Sequence, residues 1–287
     1  MQRGLLFQRV NHVYNGFTAL DCAVTQSQIE AVKFLLDGSF FRDCVRNYNP
    51  PHQHEPTLFY AVRGSNDILR VLLNDSRFDV NERGQGGMTF FLVACRLGRV
   101  AAAEMLLSLP PERHVDRFAT ASGGFTASFL ACDNGDLPVV KLLIKYDCFR
   151  CIESGDSNIM NENSPIAAAF RAGHRNVVNY VLTLNLLTDD EIVTCMNVCL
   201  QYASFSAVCI RMALAHLKGV QRYAGQLVKV LATAVSTRQS HAVEILTETL
   251  LNCANTSWSE EFRTDVFNVY PDTESIAMGV TRKFSRG

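Results

Sequence analysis

GFTALDCAVTQSQIEAVKFLL, residues 16–36, decides the reading, because its pattern returns along the chain. GMTFFLVACRLGRVAAAEMLL begins at Gly87, GFTASFLACDNGDLPVVKLLI at Gly124 and NSPIAAAFRAGHRNVVNYVL at Asn163. PTLFYAVRGSNDILRVLL from Pro56 fits once one residue is deleted between its two helices. A hydroxyl residue opens four of the segments, Thr18, Thr89, Thr126 and Ser164, just before an apolar helical pattern, where an N-cap side chain can take up an orphan backbone N–H. Five residues on stands Ala23, Ala94, Ala131 or Ala169, small enough for two helices to approach closely. Four further on, Gly98, Gly135 and Gly173 supply the left-handed turn that ends a helix, with Ser27 in glycine's place in the first segment. A second helix then runs to a paired apolar end such as Leu35-Leu36 or Leu106-Leu107.

Each unit is therefore predicted to be helix, tight turn, helix. One such hairpin buries a single face and is unstable alone, so neighbours must stack. The caps Thr89, Thr126 and Ser164 lie 37 and 38 residues apart (89 to 126, 126 to 164), the length beyond the hairpin falling in connecting loops. From Thr188 the motif fades but helical periodicity continues. Thr188 to Glu191 is a capping box, followed by Ile192, Met196, Cys199 and Leu200 on one face. A helix from about Ser206 to Lys218 follows, then one carrying Leu227, Val230, Leu231, Ala234 and Val235, then one capped by Ser240 and carrying Ala242, Ile245, Leu246 and Leu250.

These features resemble the ankyrin repeat, whose pattern is T-P-L-H-x-A, a Gly-His turn, a Val-Val-Lys-x-Leu-Leu helix and a finger ending Asp-Val-Asn. Matching residues are Thr-x-x-x-x-Ala in three units, Ser164-Pro165-Ile166, Gly173-His174, Val139-Val140-Lys141-Leu142-Leu143 and Asp79-Val80-Asn81, over about residues 10–185. The resemblance implies an all-α ankyrin-repeat solenoid of stacked helix-turn-helix units with degenerate C-terminal helical hairpins. About five units would fill residues 1–187, degenerate repeats or a helical cap residues 188–251, and a partly ordered tail with Trp258 residues 252–287. Val10-Asn11 before Gly16 reads as the end of a finger, so the chain is expected to begin inside an array. The T-P-L-H histidine is replaced by Asp21, Phe59, Leu92, Phe129 and Ala167, so the inter-repeat hydrogen bonding it supports is expected to be absent and stability lower.

The resemblance also implies a function: binding a protein partner in a groove between the finger tips and the ends of the first helices, as an adaptor or scaffold and not as an enzyme. The helix-end positions are Thr25-Gln26, Arg63, Arg96-Leu97, Asp133-Asn134 and Arg171-Ala172. Three arginines at one repeat position would lie side by side and take carboxylates or phosphates in bidentate geometry, with Asp133 interrupting the row, which suggests an acidic surface or peptide as partner. The finger residues Tyr14, Phe17, Gln85, Met88, Arg117, Phe118 and Phe125 include aromatics of the kind enriched at binding hot spots, or else packed against the next finger.

Composition narrows the alternatives. Hydrophobic residues make up 48% and charged residues 19% of the 287, enough for a core and unlike a disordered chain. With 27 Lys+Arg against 28 Asp+Glu there is no global field toward nucleic acid or an anionic membrane, and no nucleic-acid reading motif is visible. The ten cysteines are scattered singly, as buried reduced thiols are, and no run of about 18 apolar residues could span a bilayer. A cytoplasmic or nuclear protein is expected. Cys148-x-x-Cys151 lacks the second pair that a structural zinc needs, and His52-x-His54 lacks a third ligand, so neither metal nor cofactor is expected. The nucleophile candidates Cys195, Cys199, Cys209 and Cys253, with His216 or His241, support one alternative: a small catalytic domain in residues 188–287 delivered by the repeats.

Overall fold

The fold, a computed structural model, describes residues 17–37, 55–149, 164–201, 207–218 and 220–257. Every regular element among them is helical, and the fourteen α-helices form seven hairpins. The chain gathers into two compact units, Met1–Ala131 with Pro138–Phe149, and Cys132–Leu137 with Arg150–Gly287. The break between them falls inside the fourth repeat, while the expected boundary at residue 187 lies within the second unit.

In the first unit, α1 (Ala19–Thr25) and α2 (Ile29–Asp37) form the opening hairpin, followed by α3 (Thr57–Arg63) with α4 (Asn66–Leu73) and α5 (Phe90–Arg96) with α6 (Val100–Leu107). First helices pack on first helices, α1 on α3 and α3 on α5, and second helices on second helices, α2 on α4 and α4 on α6. The sequence signals account for this geometry. Thr18 and Thr89 accept from the backbone N–H groups of Asp21 and Leu92, as N-caps. The alanines at the close approach are buried, Ala94 and Ala131 completely. Gly98 turns the chain at φ 65°, and Ser27 adopts the same left-handed region at φ 56°. The Phe59 and Phe90 rings, both fully buried, meet at 4.4 Å across the second and third hairpins. A Cβ on Gly84 would stand 2.6 Å from the Phe59 ring, so the finger can cross the core there only as glycine. The unit break divides the fourth hairpin, α7 (Ala127–Asn134) and α8 (Leu137–Lys145), with Cys132–Leu137 belonging to the second unit.

One expectation is corrected at Asp21. In place of the lost histidine, its fully buried carboxylate accepts from the Thr18 N–H (2.9 Å), the Thr18 hydroxyl (2.7 Å) and, across to the next hairpin, the Thr57 hydroxyl (2.5 Å). A polar bridge between the first two repeats is therefore present, built on a different residue.

The second unit stacks α9 (Pro165–Ala172) and α10 (Arg175–Thr183), α11 (Asp189–Leu200) and α12 (Ala207–His216), and α13 (Ala224–Ser236) and α14 (Ser240–Ser257). The same order of packing holds: α9 on α11 on α13, and α10 on α12 on α14. The Thr188–Glu191 capping box is formed, its Thr188 N–H reaching the Glu191 carboxylate at 2.6 Å. Ser164 makes no cap bond; Pro165 at the first helical position removes a donor there and sets φ for the helix instead. The expected stripes on α11, α13 and α14 are buried apart from the half-buried Val235. Helix α14 continues to Ser257, past the expected limit at 251, and the rest of the expected tail, Trp258 included, lies outside the described residues.

Two stability predictions follow from the buried polar groups. Asp21→Ala strips the partner from buried Thr57 and is expected to cost about 3 kcal/mol, with Asp21→Asn recovering part of it, in urea denaturation followed by circular dichroism. Thr247 is 1% exposed and its hydroxyl has no partner. Thr247→Val is expected to raise stability by about 1 kcal/mol in the same assay.

Candidate binding groove

The side chains proposed for partner binding divide between the two units. In the first, Arg63 and Arg96 close α3 and α5 at the same register, on helices packed against each other. Helices in such contact run about 8–10 Å apart, which is the scale of the separation between the two positions. Arg96 is exposed, and Leu97 beside it is 49% exposed. Arg63 is held in a fork-to-fork pair by Glu55, Nη2 donating to Oε1 at 2.9 Å and Nη1 to Oε2. That bond is the main cause raising the guanidinium's affinity for its proton above the usual arginine range. Tyr60 lies in the same cluster. Burial first, then the carboxylates of Asp21 and Glu55, push its phenol above the ordinary value.

Phe17 and Phe125 are half-buried and packed. Phe17 stacks on Tyr60 at 5.5 Å between ring centroids, and Phe125 on Phe129 at 4.8 Å. Met88 and Phe125 occupy equivalent positions on neighbouring fingers, Met88 half-buried as well. These fingers are tied by the backbone, Ser122 N–H donating to Gly86 C=O at 2.8 Å, and by Arg83, which donates to the Gly87 and Thr120 carbonyls. Gln85, Arg117 and Phe118 are exposed, Phe118 to 48%. Tyr14 lies outside the described residues.

In the second unit, Arg171 pairs with Asp133 at 3.2 Å, so the residue expected to interrupt the arginine row is itself an arginine partner. The Asp133 carbonyl also accepts from His174 Nε2 at 2.8 Å, which assigns the histidine of the Gly-His turn a structural bond. Arg99 does the equivalent work in the first unit. It follows Gly98 and donates to the carbonyls of Arg63 (3.0 Å) and Gly64 and to Asn66 Oδ1 (2.9 Å). Sequence periodicity flags neither Glu55 nor Arg99 as a partner: Glu55 lies before α3, outside any periodic segment, and Arg99 acts across hairpins; the glycine before Arg99 is the one available signal.

The nucleophile candidates are placed as core residues. Cys195, Cys199 and Cys209 are fully buried. Cys199 Sγ donates to the Ala167 carbonyl at 3.3 Å, and burial raises its thiol far above the ordinary cysteine value. Burial likewise pushes Cys148 up to about 11. His216 Nδ1 faces the Met212 carbonyl of its own helix. The side chain of Cys253, and Cys151, His52 and His54, lie outside the described residues. Among the described residues no three His, Cys, Asp or Glu side chains gather as a metal site would require, and no helix is long and apolar enough to cross a membrane.

The family model for the ankyrin repeat matches residues 15–44, the stretch that contains the first hairpin. A solved ankyrin repeat domain from Acinetobacter baumannii superposes with a TM-score of 0.51 at 19% identity, over 69% of this chain and 96% of that one. The chain has the ankyrin-repeat fold and carries an ankyrin repeat in residues 15–44. A chain in the complex of the predatory endopeptidase Bd0816 from Bdellovibrio bacteriovorus with immunity protein Bd3460 matches its fold at 18% identity and a TM-score of 0.50, over 68% of this chain and 99% of that one. The human transient receptor potential cation channel subfamily A member 1 is 39% identical over 93 residues, which is 32% of this ankyrin-repeat chain and 8% of the channel subunit.

Thiol chemistry distinguishes the packed cysteines from the exposed one. With iodoacetamide at pH 8, Cys22, which is exposed, is expected to alkylate at least about a hundredfold faster than Cys199, whose raised thiol stays protonated in the fold, read by peptide mass spectrometry.

Proposed function

We propose that this chain is a non-catalytic interaction module that holds a protein partner, as an adaptor or scaffold. The proposed binding surface in the first unit is its finger tips and first-helix ends, Phe17, Met88 and Phe125 with Arg63 and Arg96; in the second unit, taken by itself, Asp133 and Arg171 are the proposed binding residues. The observation that carries this reading is the register of Arg63 and Arg96 on packed neighbouring helices beside the Phe17–Tyr60 stack, a cationic and aromatic ledge of the composition found at binding hot spots. An acidic segment of a cytoplasmic or nuclear protein suits that chemistry. Ankyrin-repeat domains bind proteins as a class, which supports the reading at the level of the fold. The human channel subunit shares a 93-residue stretch alone, and ion conduction is no part of the proposal.

The alternative, a catalytic domain in residues 188–287, has less support. The hairpins from Thr188 to Ser257 pack onto the α9–α10 hairpin in repeat fashion, and the nucleophile candidates Cys195, Cys199 and Cys209 are fully buried, with burial raising the Cys199 thiol. Charge reversal at Arg63, Arg96 and Arg171 together is expected to abolish partner capture from native extract while leaving far-ultraviolet circular dichroism unchanged. Capture at the wild-type level by a folded triple variant would overturn the groove assignment.

A further inference from the structure

The Arg63 guanidinium is already occupied. Glu55, which lies eight residues earlier and outside the helix, fills its fork with two hydrogen bonds, in the bidentate geometry that a partner's carboxylate would use. The pair is only partly screened by solvent, with Glu55 at 22% and Arg63 at 42% side-chain exposure. Glu55 is also wedged against Tyr60, whose phenol feels its charge, and Tyr60 in turn stacks on Phe17. The carboxylate thus sits on the ledge assigned above to the partner. Next along the stack, Arg96 offers the same side chain at the same register, exposed.

We propose that Glu55 is an internal stand-in for a partner carboxylate, and that the site reads an extended acidic peptide whose carboxylates fall three residues apart. The inference rests on the groove reading and deepens it. The spacing comes from geometry: an extended polyproline II chain advances about 3.1 Å per residue with three residues per turn, so every third side chain returns to the same face at about 9 Å, matching the separation of packed helices. One carboxylate of such a peptide pairs with Arg96 and the next displaces Glu55 from Arg63. Displacement opposes binding, so the wild-type groove is tuned to weak, salt-sensitive capture, and the tuning is set at position 55.

The test uses the full chain and a fluorescently labelled synthetic peptide carrying glutamate at every third position, with a glutamine version as control, read by anisotropy at low salt. Glu55→Gln is expected to tighten binding of the glutamate peptide about three- to tenfold, the scale of a partly exposed bidentate pair, and Glu55→Gln combined with Arg63→Gln to erase that gain. If Glu55→Gln binds as wild type does while Arg96→Gln weakens binding, the stand-in is overturned and the groove reading stands. If the glutamate and glutamine peptides bind alike and Arg96→Gln changes nothing, the groove reading falls and the inference with it.

Discussion

A short helical hairpin with one apolar face cannot keep that face from water by itself, and the arrangement of this chain follows from how neighbouring hairpins cover it. The contact of Phe59 with Phe90 is the clearest instance: two fully buried rings on successive first helices, 4.4 Å apart, that neither hairpin could bury alone. Around it, alanine lets backbones approach and glycine lets the finger pass; Gly84 lies so close to the Phe59 ring that any side chain would push the finger outward. In the first unit, the ends of α3 and α5 keep a common register because this stack holds the two helices against each other.

Much of this was legible in the sequence. The threonine caps, the alanine at the close approach, the left-handed turn residues down to Ser27, and the capping box at Thr188 each report a local requirement that one residue meets. Legibility ended where a side chain's partner lies in another repeat or outside the periodic pattern. Asp21 was read as the loss of a histidine, yet a carboxylate can gather the Thr18 and Thr57 hydroxyls across the same gap. Ser164 occupies the N-cap position of α9, but its side chain makes no cap bond there. Glu55 belongs to no periodic segment, so nothing in the pattern linked it to Arg63.

Charge along the groove follows a similar rule. Like charges at the same register of packed helices repel, and the cost is relieved when each finds a carboxylate nearby. Arg63 has Glu55 and Arg171 has Asp133, each within its own unit. What the sequence presents as a basic row resolves, within each unit, into an arginine paired with a carboxylate. Under the proposed binding role, recognition by such a surface would be an exchange of partners more than an attraction of bare charge, which would tie selectivity to geometry.

The fingers carry a consequence of a mechanical kind. Asn81 spans two of them with one amide, its Nδ2 donating to the His114 carbonyl at 3.0 Å and its Oδ1 accepting from the Asp116 N–H at 2.8 Å. Together with the Ser122 to Gly86 bond, this makes adjacent loops a single stiff plate, so that a ligand pressing on one finger tip loads its neighbour as well. A plate of that kind loses little freedom when it is gripped, and so the ordering penalty that loop-built surfaces ordinarily meet on association has largely been met during folding.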